Sequence, residues 1–179
     1  MSSLTLGQIN QYNKNGYIAP INILSLKEVN NILEEIKYIE KKWPDRIAGL
    51  GRNNIHYISP IFDKVVHHSK LLNVIKNIIG QNILVAGSVL FIKIPDKKGF
   101  ISWHQDGKYQ GFKPYNCVTA WIALTNVNKK NGCMWMWPGS HKGKIKEHKD
   151  TFDKNNLLTR GQTVKNVPKN KTVPITLKA

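Results

Sequence analysis

The hydrophobic pattern of the chain changes period near residue 80, and that switch limits the fold more than any other feature. Before it, apolar residues recur at helical spacing. Val29, Ile32, Leu33, Ile36 and Ile39 share one face of an amphipathic helix predicted over residues 26–42. Ser25-Leu26-Lys27-Glu28 has the capping-box form at its start, and Pro44 ends it. Thr5-Leu6-Gly7-Gln8 repeats that form and opens a shorter helix with Ile9 and Tyr12 on one face, closed by Gly16. Tyr17–Pro20 reads as a short strand, and residues 45–59, with Gly49 and Gly51, as a loop. A helix is expected near Ile61–His67. Another begins at Ser69, with Leu72, Ile75, Ile78 and Ile79 inward and Gly80 as its stop.

After residue 80 the texture is β. Ile83–Ile94, Phe100–Asp106, Cys117–Leu124 and Cys133–Trp137 are strand candidates. Asn128–Gly132 reads as a turn that joins the last two into a hairpin. Gly143–Lys171 reads as a polar, irregular excursion, and Thr172–Leu177 as one more strand. Helices first and strands later predict an α+β domain whose functional core is a barrel or sandwich. A strand such as Thr172–Leu177 normally leads into a turn and a partner. Ending there leaves an edge unpaired, so a fragment lacking its last strands is expected.

Composition narrows the partners. A length of 179 residues suits one domain with one sizeable core. Lysine and arginine number 27 against 11 acids, a formal charge of +16, which permits nucleic-acid binding. The lysines are scattered among asparagines and isoleucines, however, and no stretch interleaves basic and aromatic residues as a nucleic-acid groove requires. The charge is better matched to a small anionic substrate such as a carboxylate or phosphate ester. No apolar run is long enough to span a membrane, and Met1–Gln11 carries no signal pattern, so a cytoplasmic protein is expected. Cys117 and Cys133 are then expected to be reduced thiols.

The chemistry concentrates in Trp103-His104-Gln105-Asp106-Gly107. If the strand pattern holds through Phe100–Asp106, His104 and Asp106 project from one face. An imidazole and a carboxylate side by side are two of the three ligands of a facial His/His/carboxylate iron site. A bare His-x-Asp pair is also compatible with an ordinary surface hydrogen bond.

Four ordered motifs add to this pair: Trp103–Tyr109, Val118–Leu124, Asn131-Gly132-Cys133-Met134-Trp135 and Pro138-Gly139-Ser140-His141-Lys142. With them the chain resembles the phytanoyl-CoA dioxygenase family of iron(II)- and 2-oxoglutarate-dependent oxygenases. Leu4–Ile18 and Leu24–Ile39 resemble that family's N-terminal helices. Leu157–Gln162 resembles a segment found in part of it. The resemblance implies a double-stranded β-helix of the jelly-roll or cupin-like kind, with residues 1–80 as its helical part and 81–179 as an incomplete β-helix core. It implies iron(II) and 2-oxoglutarate as cofactors, with His104 and Asp106 as metal ligands. Related halogenases carry a small residue where Asp106 stands, so hydroxylation of a small-molecule C–H bond is the activity implied. Trp121, Arg52 and Val89 match positions near 2-oxoglutarate, and Tyr109 a position that faces substrate. Each has a bland alternative as a core or rim residue.

The resemblance also marks a departure. The family's distal histidine and the arginine that grips 2-oxoglutarate lie on later strands, beyond a turn expected where Leu177-Lys178-Ala179 stands. His141 and His148 are the histidines that follow Asp106, and neither matches the distal ligand. His67 and His68 are expected to be exposed on a helix. Two ligands hold iron weakly, so these 179 residues alone are expected to be inactive or nearly so. The rival expectation is a degenerate, non-catalytic cupin-like binding protein.

Overall fold

A computed structural model describes residues 3–44, 52–93, 98–111 and 116–179. The helices form where period and caps coincide. Helix α1 spans Leu6–Asn15, with Thr5 as N-cap, and Gly16 closes it in the left-handed conformation at φ 81°. Helix α2 spans Leu26–Lys42, and the Ser25–Glu28 capping box is formed from both sides. Helix α3, Pro60–Val66, starts with proline in its first turn and Ser59 as cap. Helix α4 spans Ser69–Ile79.

The predicted inner face of α2 is the inner face observed. Ile32, Ile36 and Ile39 pack with Ile55, with Phe62 of α3 and with Leu90 from the following segment. Burying each such side chain contributes about 1.5–3 kcal/mol. Ile92 and Leu124 lie against this cluster, so the helical layer and the C-terminal half share one core. Ser59 is buried beneath it and donates to Glu35 at 2.6 Å. Asn77 of α4 accepts hydrogen bonds from Ser3 and from the Leu4 amide, which ties the N-terminus down.

The β half is sparser than its sequence suggests. Strand β1, Met134–Met136, pairs antiparallel with β4, Val173–Ile175, with Met134 opposite Ile175. Strand β2, His148–Lys149, pairs with β3, Thr163–Val164. Cys133–Trp137 and Thr172–Leu177 are thus strands as expected, but the expected hairpin with Cys117–Leu124 is replaced by the β1–β4 pair. Val127 and Leu177 extend that pair by a bridge. Among the described residues, Tyr17–Pro20, Ile83–Ile94, Phe100–Asp106 and Cys117–Leu124 form no ladder; Val89 and Phe100 make isolated bridges only. A strand needs a continuous backbone partner, which apolar alternation cannot supply by itself. The two short sheets do not by themselves make up the double-stranded β-helix expected from the resemblance.

The larger correction concerns residues 143–171, which are not an outlying excursion. They wrap the His-x-Asp segment on both sides. Phe100 exchanges backbone bonds with Asn155 and Leu157, and Val164 donates to the Trp103 carbonyl at 2.7 Å. Cys133 is buried, Cys117 is half-buried, and both are free thiols. Among the described residues no helix is long and apolar enough to cross a membrane.

Candidate metal centre

His104 and Asp106 leave one short segment in a common direction. His104 Nε2 lies 3.1 Å from Asp106 Oδ1. The aspartate opens a 3-10 turn, Asp106–Lys108, so the pair sits where extended chain gives way to a turn. The other atom of each group is tied down. His104 Nδ1 is 2.8 Å from the Ser102 carbonyl, and Asp106 Oδ2 accepts from Thr119 Oγ1 at 2.6 Å. A carbonyl can only accept, so Nδ1 carries a proton, and in the neutral ring Nε2 presents a lone pair. That lone pair faces a carboxylate oxygen. Two acceptors so close repel unless a proton or a cation lies between them.

The proton affinities express the same geometry. Burial works to lower the His104 pKa, but the hydrogen bonds to Asp106 and to the Ser102 carbonyl, with the charge of Asp106, leave it above the ordinary histidine value. Asp106 is held below the ordinary carboxylate value by its bond to His104, against desolvation and with help from Thr119. Both directions favour a proton between the two groups, in the place a metal cation would take. A divalent first-row ion fits the same place, since bonds of about 2.0–2.2 Å at right angles set two donors about 3 Å apart. Among the described residues no third His, Cys, Asp or Glu joins the pair in a group able to hold a metal.

The surroundings are built from polar side chains that bond backbone. Ser102 donates to the Gln162 carbonyl at 2.6 Å and accepts from Asn156 at 2.8 Å. Gln105, between the two candidate ligands, works in three directions. Its amide donates to His148 Nε2, its Oε1 accepts from the Lys146 amide at 2.8 Å, and its Nε2 reaches the Ser140 carbonyl at 3.3 Å. His148 Nδ1 donates to the Lys146 carbonyl. Both nitrogens of His148 are thus engaged. His141 is engaged elsewhere: its Nε2 donates to the Asn13 carbonyl, and its ring fills the space where a side chain at Gly16 would begin. Gly139, at φ 77°, donates to the Asn15 carbonyl in the same dock. His141 is therefore no substitute ligand; it joins the turn after β1 to the end of α1. His67 is exposed but only caps α3, while His68 is mostly covered and meets Glu28 at 3.3 Å, against the expectation of an exposed helical residue.

The remaining candidates lie apart from one another. Tyr109 is edge-on to the His148 ring at 5.4 Å and carries the Arg160 guanidinium 5.1 Å from its own centroid. Desolvation and the Asp150 carboxylate raise its hydroxyl above the ordinary phenol value, against the pull of Arg160. Trp121 is half-buried, two residues past Thr119. Arg52 and Val89 lie on one paired segment: the Arg52 carbonyl accepts from the Leu90 amide, its guanidinium donates to the Ile92 carbonyl at 3.4 Å, and Val89 faces Asn53. Val89 is 52% exposed. Neither Arg52, Val89 nor Trp121 lines the cavity beside His104. Ser102, Gln105, Thr119, Lys146 and Asn156 were not singled out in the sequence. The one available signal was a polar residue inside an apolar run, as at Thr119.

The sequence model of the family described as "Phytanoyl-CoA dioxygenase (PhyH)" matches residues 12–179. A protein named probable alpha-ketoglutarate-dependent hypophosphite dioxygenase, from Stutzerimonas stutzeri, is 29% identical over 160 residues, which cover 80% of this chain and 56% of that one. The peroxisomal phytanoyl-CoA dioxygenase of Mus musculus is 29% identical over 168 residues, covering 81% of this chain and 50% of its own. The chain thus spans about half the length of these relatives. Among solved structures, the non-heme monooxygenase ThoJ in its apo form superposes with a TM-score of 0.78 at 25% identity, covering 96% of this chain and 65% of its own. CytC3 with Fe(II) and alpha-ketoglutarate shares the fold at a TM-score of 0.52 and 19% identity, covering 77% of this chain and 60% of its own.

Proposed function

Because this chain belongs to the phytanoyl-CoA dioxygenase family, we propose that it carries the iron-binding part of a 2-oxoglutarate-dependent oxygenase that hydroxylates a C–H bond of a small molecule. One observation carries the reading: an imidazole nitrogen aimed at a carboxylate oxygen 3.1 Å away, an arrangement that calls for a proton or a metal cation between them. The relatives add support. One is named for its dependence on alpha-ketoglutarate, which is 2-oxoglutarate, and a fold neighbour was solved with that compound and Fe(II).

In this reading His104 and Asp106 are two of three protein ligands. The Ser102 carbonyl keeps His104 in the tautomer that binds metal, and Thr119 sets the carboxylate. Bound iron with 2-oxoglutarate supplies the oxidising power for the hydroxylation. Trp121, Arg52 and Val89 serve the 2-oxoglutarate side and Tyr109 the substrate side, within a double-stranded β-helix of one domain. The third ligand and the arginine clamp are supplied from outside these 179 residues. The rival reading, a degenerate cupin-like binding protein, draws on the two-ligand count among the described residues.

Melting with Mn(II), with and without 2-oxoglutarate, separates the two. We expect the chain to be stabilised weakly by metal and to release little succinate with Fe(II). A version extended to its relatives' full length should be stabilised strongly and turn over. His104→Ala should abolish the metal response in both. No metal response in either form would leave the rival reading standing.

A further inference from the structure

A cavity of about 80 Å³ opens directly beside His104, walled by Trp103, Met136, Trp137, Val164 and Val167, with Lys146 at its edge. A single water needs only about 15 Å³ of such space, so the cavity takes a molecule, or the end of one, of a few heavy atoms. Its walls are largely apolar, with Gln105 and Ser140 also lining it, and the backbone of its lysine is held on both sides. The Lys146 amide donates to Gln105, and its carbonyl accepts from His148. The ammonium lies 4.7 Å from the centre of the Trp137 ring. Its charge is also unspent. The acids of the same segment, Glu147 and Asp150, pair with Lys165 at 2.6 Å and with Arg160 at 3.5 Å, and among the described residues no carboxylate meets Lys146.

We infer that Lys146 is a specificity-determining residue, and that the cavity between it and His104 receives a compact anionic substrate: a small carboxylate or a small phosphorus oxyanion. The inference rests on the oxygenase reading for the nearness of the metal. The tryptophan and valine side chains of the wall limit competing hydration, which strengthens the pairing of ammonium and anion relative to open water. Gln105 is a positioning residue: it links the backbone of Lys146 to the segment that bears both proposed metal ligands.

Three wall and neighbour tryptophans, Trp103, Trp135 and Trp137, give a direct readout. Intrinsic fluorescence of the 179-residue chain is titrated with acetate, with hypophosphite and with neutral acetamide, without metal. Binding of either anion but not of acetamide is expected, and the stronger of the two identifies the acid class. Lys146→Gln should weaken it about tenfold or more, the loss of one charge-assisted contact. Lys146→Arg should retain most of it, and Lys144→Gln should change nothing. Val167→Phe, which fills the cavity without touching the charge, should abolish it. Equal binding of acetamide, or an unchanged Lys146→Gln, overturns the inference. So does displacement of the anion by saturating 2-oxoglutarate with Mn(II) present, which would assign the cavity to the co-substrate. Mn(II) binding is followed on the same samples by electron paramagnetic resonance. Anion binding with no Mn(II) binding, here and in the version extended to its relatives' full length, would sink the oxygenase reading and retain the anion site.

Discussion

The helical layer and the wrap around His104 are held together by different means. In the first, Ile32, Ile36 and Ile39 bury a continuous apolar stripe against Ile55 and Phe62, and the polar work is confined to helix ends. In the second, residues 100–106 are gripped by residues 143–164 through single backbone bonds and through Ser102, Gln105, Asn156 and His148. Apolar burial is strong but tolerant of direction. Hydrogen bonds add little net stability, yet they set positions to a fraction of an ångström. One region supplies the stability and the other the placement of two side chains 3.1 Å apart.

That division is open to attack, and the largest test is in the core. Phe62→Ala should cost about 3–5 kcal/mol in urea denaturation, as truncation of a buried aromatic ring does. His104→Ala should cost less than about 1 kcal/mol while it removes Mn(II) binding, since stability and metal affinity reside in separate contacts. Equal losses of stability from the two would erase the contrast. Next comes Ser102→Ala, which strands the Gln162 carbonyl and an Asn156 amide proton; about 1–3 kcal/mol is expected. Here metal affinity should fall together with stability, because the Ser102 carbonyl also holds His104. Ser25→Ala, which removes the α2 cap, should cost about 1 kcal/mol and leave Mn(II) binding unchanged.

The smallest effect is a pH dependence of the metal-free chain. The folded His104 value is raised, so its contribution is complete below the unfolded histidine value and fades as pH rises through the folded one. The folded Asp106 value is lowered, so its contribution is complete above the unfolded aspartate value and fades as pH falls through the folded one. Both are therefore present between the ordinary values of about 4 and 6.5. Melting curves should show a shallow maximum there, flattened in His104→Ala. Mn(II) should behave oppositely on the alkaline side, binding better as the competing proton leaves.

How much of this was legible in the residues follows the same division. Helices α1, α2, α3 and α4 were readable because period and cap lie within a few neighbours. The His-x-Asp pair was readable because its spacing and flanking motifs are local too. The hairpin from Cys117–Leu124 was misread, since β1 pairs instead with β4, nearly forty residues away. Residues 143–171 were misread for a deeper reason. Their partners are backbone groups reached by serine, glutamine and asparagine side chains, and such contacts leave no period.

What the order of amino acids determined alone is therefore the helical layer, its buried stripe and the identity of two neighbouring polar groups. Only the tertiary structure decided that a lysine-rich segment wraps those groups, that His141 docks on α1 instead, and that Lys146 stands at a cavity beside His104. Helical contacts close over three or four residues, so local sequence suffices for them. The wrap closes over forty to sixty residues, and its geometry exists only once the chain has folded back on itself.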